Sequence, residues 1–243
     1  MELTKSDVHF VMSRCPKDVR RLLILNAGKV FLAGGFVRAV IAGEKVSDID
    51  LFGGSTEHLL SVAKDLTLRR KGKYFETDNA ITVLTGTRYP VQFITRWLYT
   101  KAEDLIKSFD FTIAQSVIWA ERVNPDEKVA KGKLPKVIFR SLIADTFYAD
   151  LAARRLTYTM PVREEEAGGS MMRVLKFIKR GYNIQPSSLA GVIARLAIKL
   201  DFKRQPDVEW IQIMLKGLLY EVDPMIVIDG VDFLDEHEAL NNE

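Results

Sequence analysis

VFLAGGFVRAVIAGEKVSDIDLFGGS, residues 30–55, is the stretch from which the rest of the chain is read. Val30-Phe31-Leu32-Ala33 is a short apolar run that reads as a buried strand. Gly34-Gly35 break it, and Phe36 to Ala42 reads as a helix ended by Gly43. Ser47-Asp48-Ile49-Asp50-Leu51-Phe52 then alternates carboxylates with apolar residues. In a strand, side chains at i and i+2 share a face, roughly 6.5–7 Å apart. Asp48 and Asp50 therefore point one way while Ile49 and Leu51 point into a core. Two like charges on one face repel unless a cation lies between them. A pair of divalent metals about 3.5–4 Å apart, gripping a transferring phosphoryl group, is the kind of site that uses such carboxylates. The plainer readings of the same residues are a capped turn before a core strand, or a calcium loop.

A glycine pair lets phosphates approach the backbone closely, and the helix that follows offers unpaired N–H groups and a positive dipole end. Arg38 sits one helical turn in, placed either to brace the acidic strand or to touch a triphosphate. In this order, Gly-Gly-x-x-Arg followed by Asp-x-Asp resembles the signature of the polymerase-beta nucleotidyltransferase superfamily. It is most similar to the head domain of tRNA CCA-adding enzymes and bacterial poly(A) polymerases. The fold this implies is α/β (α+β): a nucleotidyltransferase palm with a mixed central sheet flanked by helices, followed by a small helical domain.

Thr77 to Thr95 reads as a hairpin, with Ala80 to Thr85 and Pro90 to Thr95 as its strands around Gly86-Thr87-Arg88-Tyr89. In the resembled family the return strand carries a third metal-binding carboxylate. This chain has Gln92 there, whose amide can coordinate magnesium or hold its water but adds no negative charge. Ser108-Phe109-Asp110-Phe111-Thr112-Ile113-Ala114 is similar to the Arg-Arg-Asp-Phe-Thr-Ile-Asn motif of CCA-adding enzymes, though the arginines and the asparagine are replaced. Asp110 is expected to hydrogen-bond backbone or Arg96, with a third-ligand role as the alternative. The resemblance implies Asp48 and Asp50 as catalytic and metal-binding residues and Gln92 beside them on the metal. It gives Gly34, Gly35, Arg38, Ser55 and Asp110 to the nucleotide. Mg2+ or Mn2+ is the implied cofactor and an NTP the substrate.

The chain has 243 residues, enough for one large domain or two small ones, and its 47% hydrophobic and 28% charged residues are those of an ordinary soluble protein. No apolar run approaches the roughly 20 residues that span a bilayer, and no signal peptide is read at the start. The single cysteine, Cys15, cannot form an internal disulfide, which is compatible with a reducing cytoplasm, the host's if the source is viral. The net charge of +3 hides an asymmetry: residues 221–243 hold eight carboxylates and no Lys or Arg, leaving residues 1–220 a net +11. A basic body suits a polyanionic partner, though many soluble proteins carry such an excess without one.

Residues 4–27 read as one or two helices, with Pro16 starting the second and Val19, Leu22, Leu23 and Leu25 packing. Thr56 is expected to cap a helix through Leu66. Arg69, Arg70, Lys71 and Lys73 are read either as a solvated strand end or as phosphate contacts. A helix is expected over Lys101 to Lys107 and a strand over Gln115 to Ala120. Turn chemistry at Asn124-Pro125-Asp126 and Lys131-Gly132-Lys133 marks the edge of the first half. Beyond it the chain reads as helical from Phe139. Arg154 and Arg155 follow as candidate RNA contacts. Ser170 is expected to cap a helix with Met171, Val174, Leu175 and Ile178 on one face. Its Arg173, Lys176 and Arg180 are either a solvated face or an RNA surface. The acidic nucleotide-selecting motif of CCA-adding enzymes is replaced by Gly168-Gly169-Ser170. Two helices, about 186–200 and 206–220, complete the reading. The domains expected are 1–140, the palm; 141–220, the helical domain; and 221–243, an acidic tail that shields the basic surface, docks on it or hangs free.

The function implied is transfer of a nucleoside monophosphate from an NTP to an acceptor hydroxyl, most plausibly a tRNA-like RNA 3′ end. Two alternatives stand beside it. One is an impaired nucleotidyltransferase fold kept as a binding or assembly module; the other is an enzyme that modifies a protein or small molecule. The compact size suits a viral or mobile-element version.

Overall fold

The computed structural model describes residues 1–86, 88–126, 129–130, 132–161, 167–198 and 208–212. It divides into two compact units: residues 1–109 with 113–147, and residues 110–112 with 148–243.

The first unit is built on one seven-stranded sheet. Its strands are β1 (Val30–Ala33), β2 (Ile49–Gly53), β3 (Lys73–Glu76), β4 (Ala80–Leu84), β5 (Val91–Ile94), β6 (Ser116–Arg122) and β7 (Val137–Ile143). They lie in the order β3-β4-β5-β2-β1-β6-β7, and only the β2–β5 pairing is parallel. The expected mixed sheet is therefore present. Its helices are α1 (Lys5–Arg14), α2 (Lys17–Leu25), α3 (Gly35–Ala42), α4 (Thr56–Arg70) and α5 (Ala102–Lys107). Leu32, Ile49, Leu51, Val91, Phe93 and Ile118 alternate onto one face of the sheet and are fully buried. On that side a Cβ added at Gly53 would strike the Leu59 side chain of α4 at 3.0 Å. The opposite face carries a second core in which Phe31, Ala33, Phe52 and Val117 meet Ala102, Leu105 and Ile106 of α5, with Phe109 packed against it.

The helix boundaries follow local chemistry. Gly43 ends α3 with φ 67°, a left-handed conformation that a side chain would oppose. Ser55, not Thr56, caps α4: its hydroxyl accepts from the His58 N–H. Arg69 and Arg70 belong to the last turn of α4 rather than to a strand end, and β3 begins only at Lys73. Pro16 does separate α1 from α2, but Leu25 is exposed where packing was expected. Cys15, beside that proline, is 3% exposed, and burial, the first of several influences on it, pushes its thiol up to about 12.

The largest correction concerns residues 139–143, expected as helix, which belong to strand β7. An exposed Ile138 and a buried Ser141 break the apolar/polar alternation that would have marked the strand. Ser141 to Ile143, expected in the second domain, thus complete the sheet of the first unit.

In the second unit α6 (Phe147–Ala152) arrives from the first, followed by β8 (Arg155–Leu156), α7 (Ala167–Lys179), β9 (Asn183–Ile184) and α8 (Pro186–Ile198). β8 and β9 pair in parallel. Ser170 lies inside α7 rather than capping it, because the helix begins three residues earlier. Its buried face is formed by Ser170, Val174 and Phe177, while Leu175 and Ile178 are about half exposed, a rotation of the expected face. Phe177 packs edge-on to Phe111 and Tyr182. Residues 208–212 are helical; the remainder of the expected 206–220 helix and the 221–243 tail lie outside the described residues. No helix among the described residues is long and apolar enough to cross a membrane.

Candidate active site

Antiparallel pairing sets Ala33 opposite Asp50, and parallel pairing sets Asp50 opposite Gln92. Directly paired residues project to the same face of a sheet, so Asp50 and Gln92 stand side by side. Asp48 lies two residues earlier in the chain, just before β2 begins. It accepts a 2.8 Å hydrogen bond from the Ser47 hydroxyl. All three side chains are half-buried. Ile49 and Leu51 between them go to the other face and are fully buried, so the two carboxylates are anchored from beneath.

Gly34 closes the corner. Its φ of 75° and ψ of −132° are open to glycine and strained for other residues. A Cβ there would lie 3.5 Å from Asp50 Oδ2 and 3.5 Å from the Phe109 ring. The missing side chain is what leaves the turn open against the carboxylate. The N–H of Gly34 donates to Ser116 O at 3.1 Å, so this amide fastens the turn to β6. Arg38 is 5% exposed; its Nε lies 3.4 Å from Glu44, and its Nη2 comes within 4.0 Å of where a Gly35 Cβ would stand. Its guanidinium is folded back beside the turn. Ser55 is committed locally, accepting from the backbone and donating to Glu57.

Asp50, Gln92 and Asp48 present hard oxygen donors, two anionic and one neutral, next to a backbone corner without a side chain. That set fits a divalent cation such as Mg2+ or Mn2+. Among the described residues no three His, Cys, Asp or Glu side chains converge to hold a metal.

Asp110 is buried in the second unit, where it accepts from Ser170 Oγ at 2.8 Å and from Arg173 Nη1 at 2.5 Å; its backbone carbonyl accepts from Thr159. The expected bond to Arg96 is thus replaced by one to Arg173. Asp150, which sequence reasoning missed, repeats the arrangement: it is fully buried, bonded to Arg155 and to the Thr112 hydroxyl at 2.6 Å. Arg154 donates to Arg180 O.

In the first unit Arg70 is the clearest departure from a phosphate contact. Its side chain is fully buried, paired with Asp18 and donating to Tyr89 O. Arg69 is exposed and paired with Asp65 at 2.7 Å along the helix. Lys176 is half-buried on α7.

A family model described as Gad2, Gabija anti-defense 2 family protein, matches residues 2–153. No curated protein matches the chain. Among solved structures, the Thermotoga maritima CCA-adding enzyme complexed with tRNA_CCA aligns at a TM-score of 0.54 with 16% identity. That alignment covers 95% of this chain and 53% of the enzyme. A CCA-adding enzyme in complex with ATP aligns at 0.54 with 18% identity, over 89% of this chain and 50% of that one. The chain spans about half the length of these enzymes. At such identities the likeness is one of fold, and it is the fold of the CCA-adding nucleotidyltransferases.

Proposed function

The chain belongs to the Gabija anti-defense 2 family, and from that premise we propose that it is a metal-dependent nucleotidyltransferase. The reaction moves a nucleoside monophosphate from an NTP to an acceptor hydroxyl. The observation that carries this reading is the corner at Asp50: a carboxylate between an open glycine turn and Gln92, with Asp48 two residues before it in the chain.

Asp48 and Asp50 supply the anionic oxygens and Gln92 a neutral one. A divalent cation held by these oxygens would neutralise phosphate charge and lower the pKa of the acceptor hydroxyl. The open turn at Gly34 admits the triphosphate, the start of α3 adds a positive dipole end, and Arg38 stiffens the corner from behind. The acceptor oxygen bonds to the α-phosphorus as the bond to the β-phosphate oxygen breaks, releasing pyrophosphate; the hydroxyl proton passes to solvent. Positioning and charge neutralisation are the protein's part.

An RNA 3′ end is the first acceptor to consider, supported by the fold and by the basic body. One observation favours a second reading, an acceptor on a protein of the Gabija defence that the family description names. Arg70, Arg155 and Arg173, expected to meet RNA, are engaged within the protein. Incubating the full chain with magnesium, each labelled NTP, total RNA and Gabija proteins separates these readings by where the label lands. RNA binding should fall with salt at a log–log slope of about −0.7 per neutralised phosphate. Label on protein, with no salt-dependent RNA binding, selects the second reading. No label anywhere, and no binding of Mg-NTP by calorimetry, rejects transfer and leaves the fold as a binding or assembly module.

A further inference from the structure

Arg70, the last residue of α4, spreads its guanidinium over two partners. Nε and Nη2 donate to the Asp18 carboxylate at 2.9 and 3.3 Å, and Nη1 donates to Tyr89 O at 2.9 Å. Asp18, in the first turn of α2, also accepts from Arg88 Nη1 at 2.8 Å and from the N–H of its neighbour Val19. One carboxylate therefore ties the start of α2 to the end of α4 and, through both arginines, to residues 88–89. The Arg70 side chain is fully buried and that of Asp18 is 15% exposed, so water competes little for these bonds. Arg88 closes the cluster from the solvent side.

The segment held in this way leads directly into β5. Pro90 follows Tyr89, and Pro90 O accepts from Ile49 N–H at 3.0 Å. Between the two carbonyls lie only the φ and ψ of Pro90, and its ring fixes the first. A pinned Tyr89 carbonyl thus leaves the Pro90 carbonyl one soft angle. Ile49, where β2 begins, stands between Asp48 and Asp50 in the chain. The rungs that follow set Ile49 opposite Val91 and Asp50 opposite Gln92. A slip of one residue here would turn Gln92 to the face away from Asp50.

We propose that Asp18, acting through Arg70 and Arg88, is a positioning residue for the candidate metal site: it sets the entry of β5 so that Gln92 stays beside Asp50. The effect passes through Tyr89, Pro90 and the Ile49 N–H. Its consequence for metal binding rests on the transfer reading, whereas the brace itself is a property of the first unit.

The test uses the full chain, first without metal and with amide exchange read residue by residue, then with Mg2+ titrated by calorimetry. In Arg70→Met the Ile49 amide should exchange about tenfold faster or more. The Gly34 amide, bonded to Ser116 O on the β1 side of Asp50, should not change. Mg2+ affinity should fall about tenfold, the low end of what loss of a supporting partner costs a metal site. Arg70→Lys should restore little, because an ammonium keeps the charge but not the fork that reaches Asp18 and Tyr89 together. Arg69→Met, one position away and paired with Asp65 along the helix, should leave both readings as they are. Should Arg70→Met fail to fold, Arg88→Met carries the test, since that side chain is 53% exposed. Its effects should be about threefold and should vanish in an Asp18→Asn background. Unchanged Ile49 exchange, or equal acceleration at Gly34, overturns the proposal. Faster Ile49 exchange with unchanged Mg2+ affinity overturns its link to the site. If the unmodified chain binds no Mg2+, the transfer reading fails, and the Ile49 amide alone decides for or against the brace.

Discussion

Asp50 stands half-buried at the start of β2 beside a glycine turn, whereas Asp110 and Asp150 are buried, each under an arginine and a hydroxyl. The first setting keeps a carboxylate where a ligand can reach it; the second closes it off. A carboxylate removed from water is sustained only by a close cation and further hydrogen bonds. Arg173 with Ser170 provides them for Asp110, and Arg155 with Thr112 for Asp150. In the proposed reaction the same residue type serves reactivity in one unit; in the other it serves cohesion. Burial and partner, not residue type, separate the two roles.

The sharpest way to break that contrast is Asp50→Asn. Nucleotide transfer should fall about a thousandfold, the equivalent of ~4 kcal/mol of lost metal-centred stabilisation. Melting temperature should hold or rise, because one of two crowded negative charges is gone. A large drop in melting temperature would place Asp50 with Asp110 as a structural group. Next in size, Arg173→Met should strand Asp110 as a buried charge. We expect a loss of about 3 kcal/mol, seen in urea unfolding and in faster amide exchange along α7, with transfer chemistry retained per folded molecule. Adding Asp110→Asn should restore part of the loss; no recovery would show that the pair is not the cause.

Asp18 tests the same rule within the first unit. Burial raises its pKa, but the hydrogen bond and charge of Arg70, the Val19 N–H and the charge of Arg88 outweigh that and hold it below the ordinary value of 3.8. A depressed carboxylate stabilises the fold above its unfolded pKa and loses that contribution as pH falls through the folded one. Asp18→Asn should therefore cost about 2 kcal/mol at pH 7, with the gap to the unmodified protein closing below about pH 4. A gap that persists in acid would contradict it. The smallest effect expected is from Gln92→Glu, which adds a third anionic oxygen beside Asp50. Magnesium affinity should rise by about tenfold or less by calorimetry, and an unchanged affinity would remove Gln92 from the metal site.

The stretch from Val30 to Ser55 was legible because its cues are local: an apolar run, a glycine pair, a helix-ending glycine and a two-residue alternation. The partnership of Asp50 with Gln92 was found through family likeness, and the sheet register gives it a geometric basis. What stayed hidden depends on residues far apart in sequence. Arg70 lies among four basic residues within five positions, and nothing local distinguishes the one that turns inward to Asp18, 52 positions away. Ser170 looks like a cap, yet its hydroxyl is spent on Asp110, 60 positions back. Asp150 carried no motif at all. The Phe139–Ile143 part of β7 was read as helix because its residue types run against its burial: Ile138 is half exposed while Ser141 is buried, so no apolar/polar alternation marks the strand.

Cys15 turns the first unit into its own chemical clock. The chain has one cysteine, and in the folded protein it is both enclosed and held as the neutral thiol, the form that does not attack electrophiles. A thiol-reactive dye would therefore enter only through molecules whose α1–α2 corner has opened. With dye in excess and labelling faster than reclosing, the slope of labelling against time would give the rate of those openings, without a signal from the second unit.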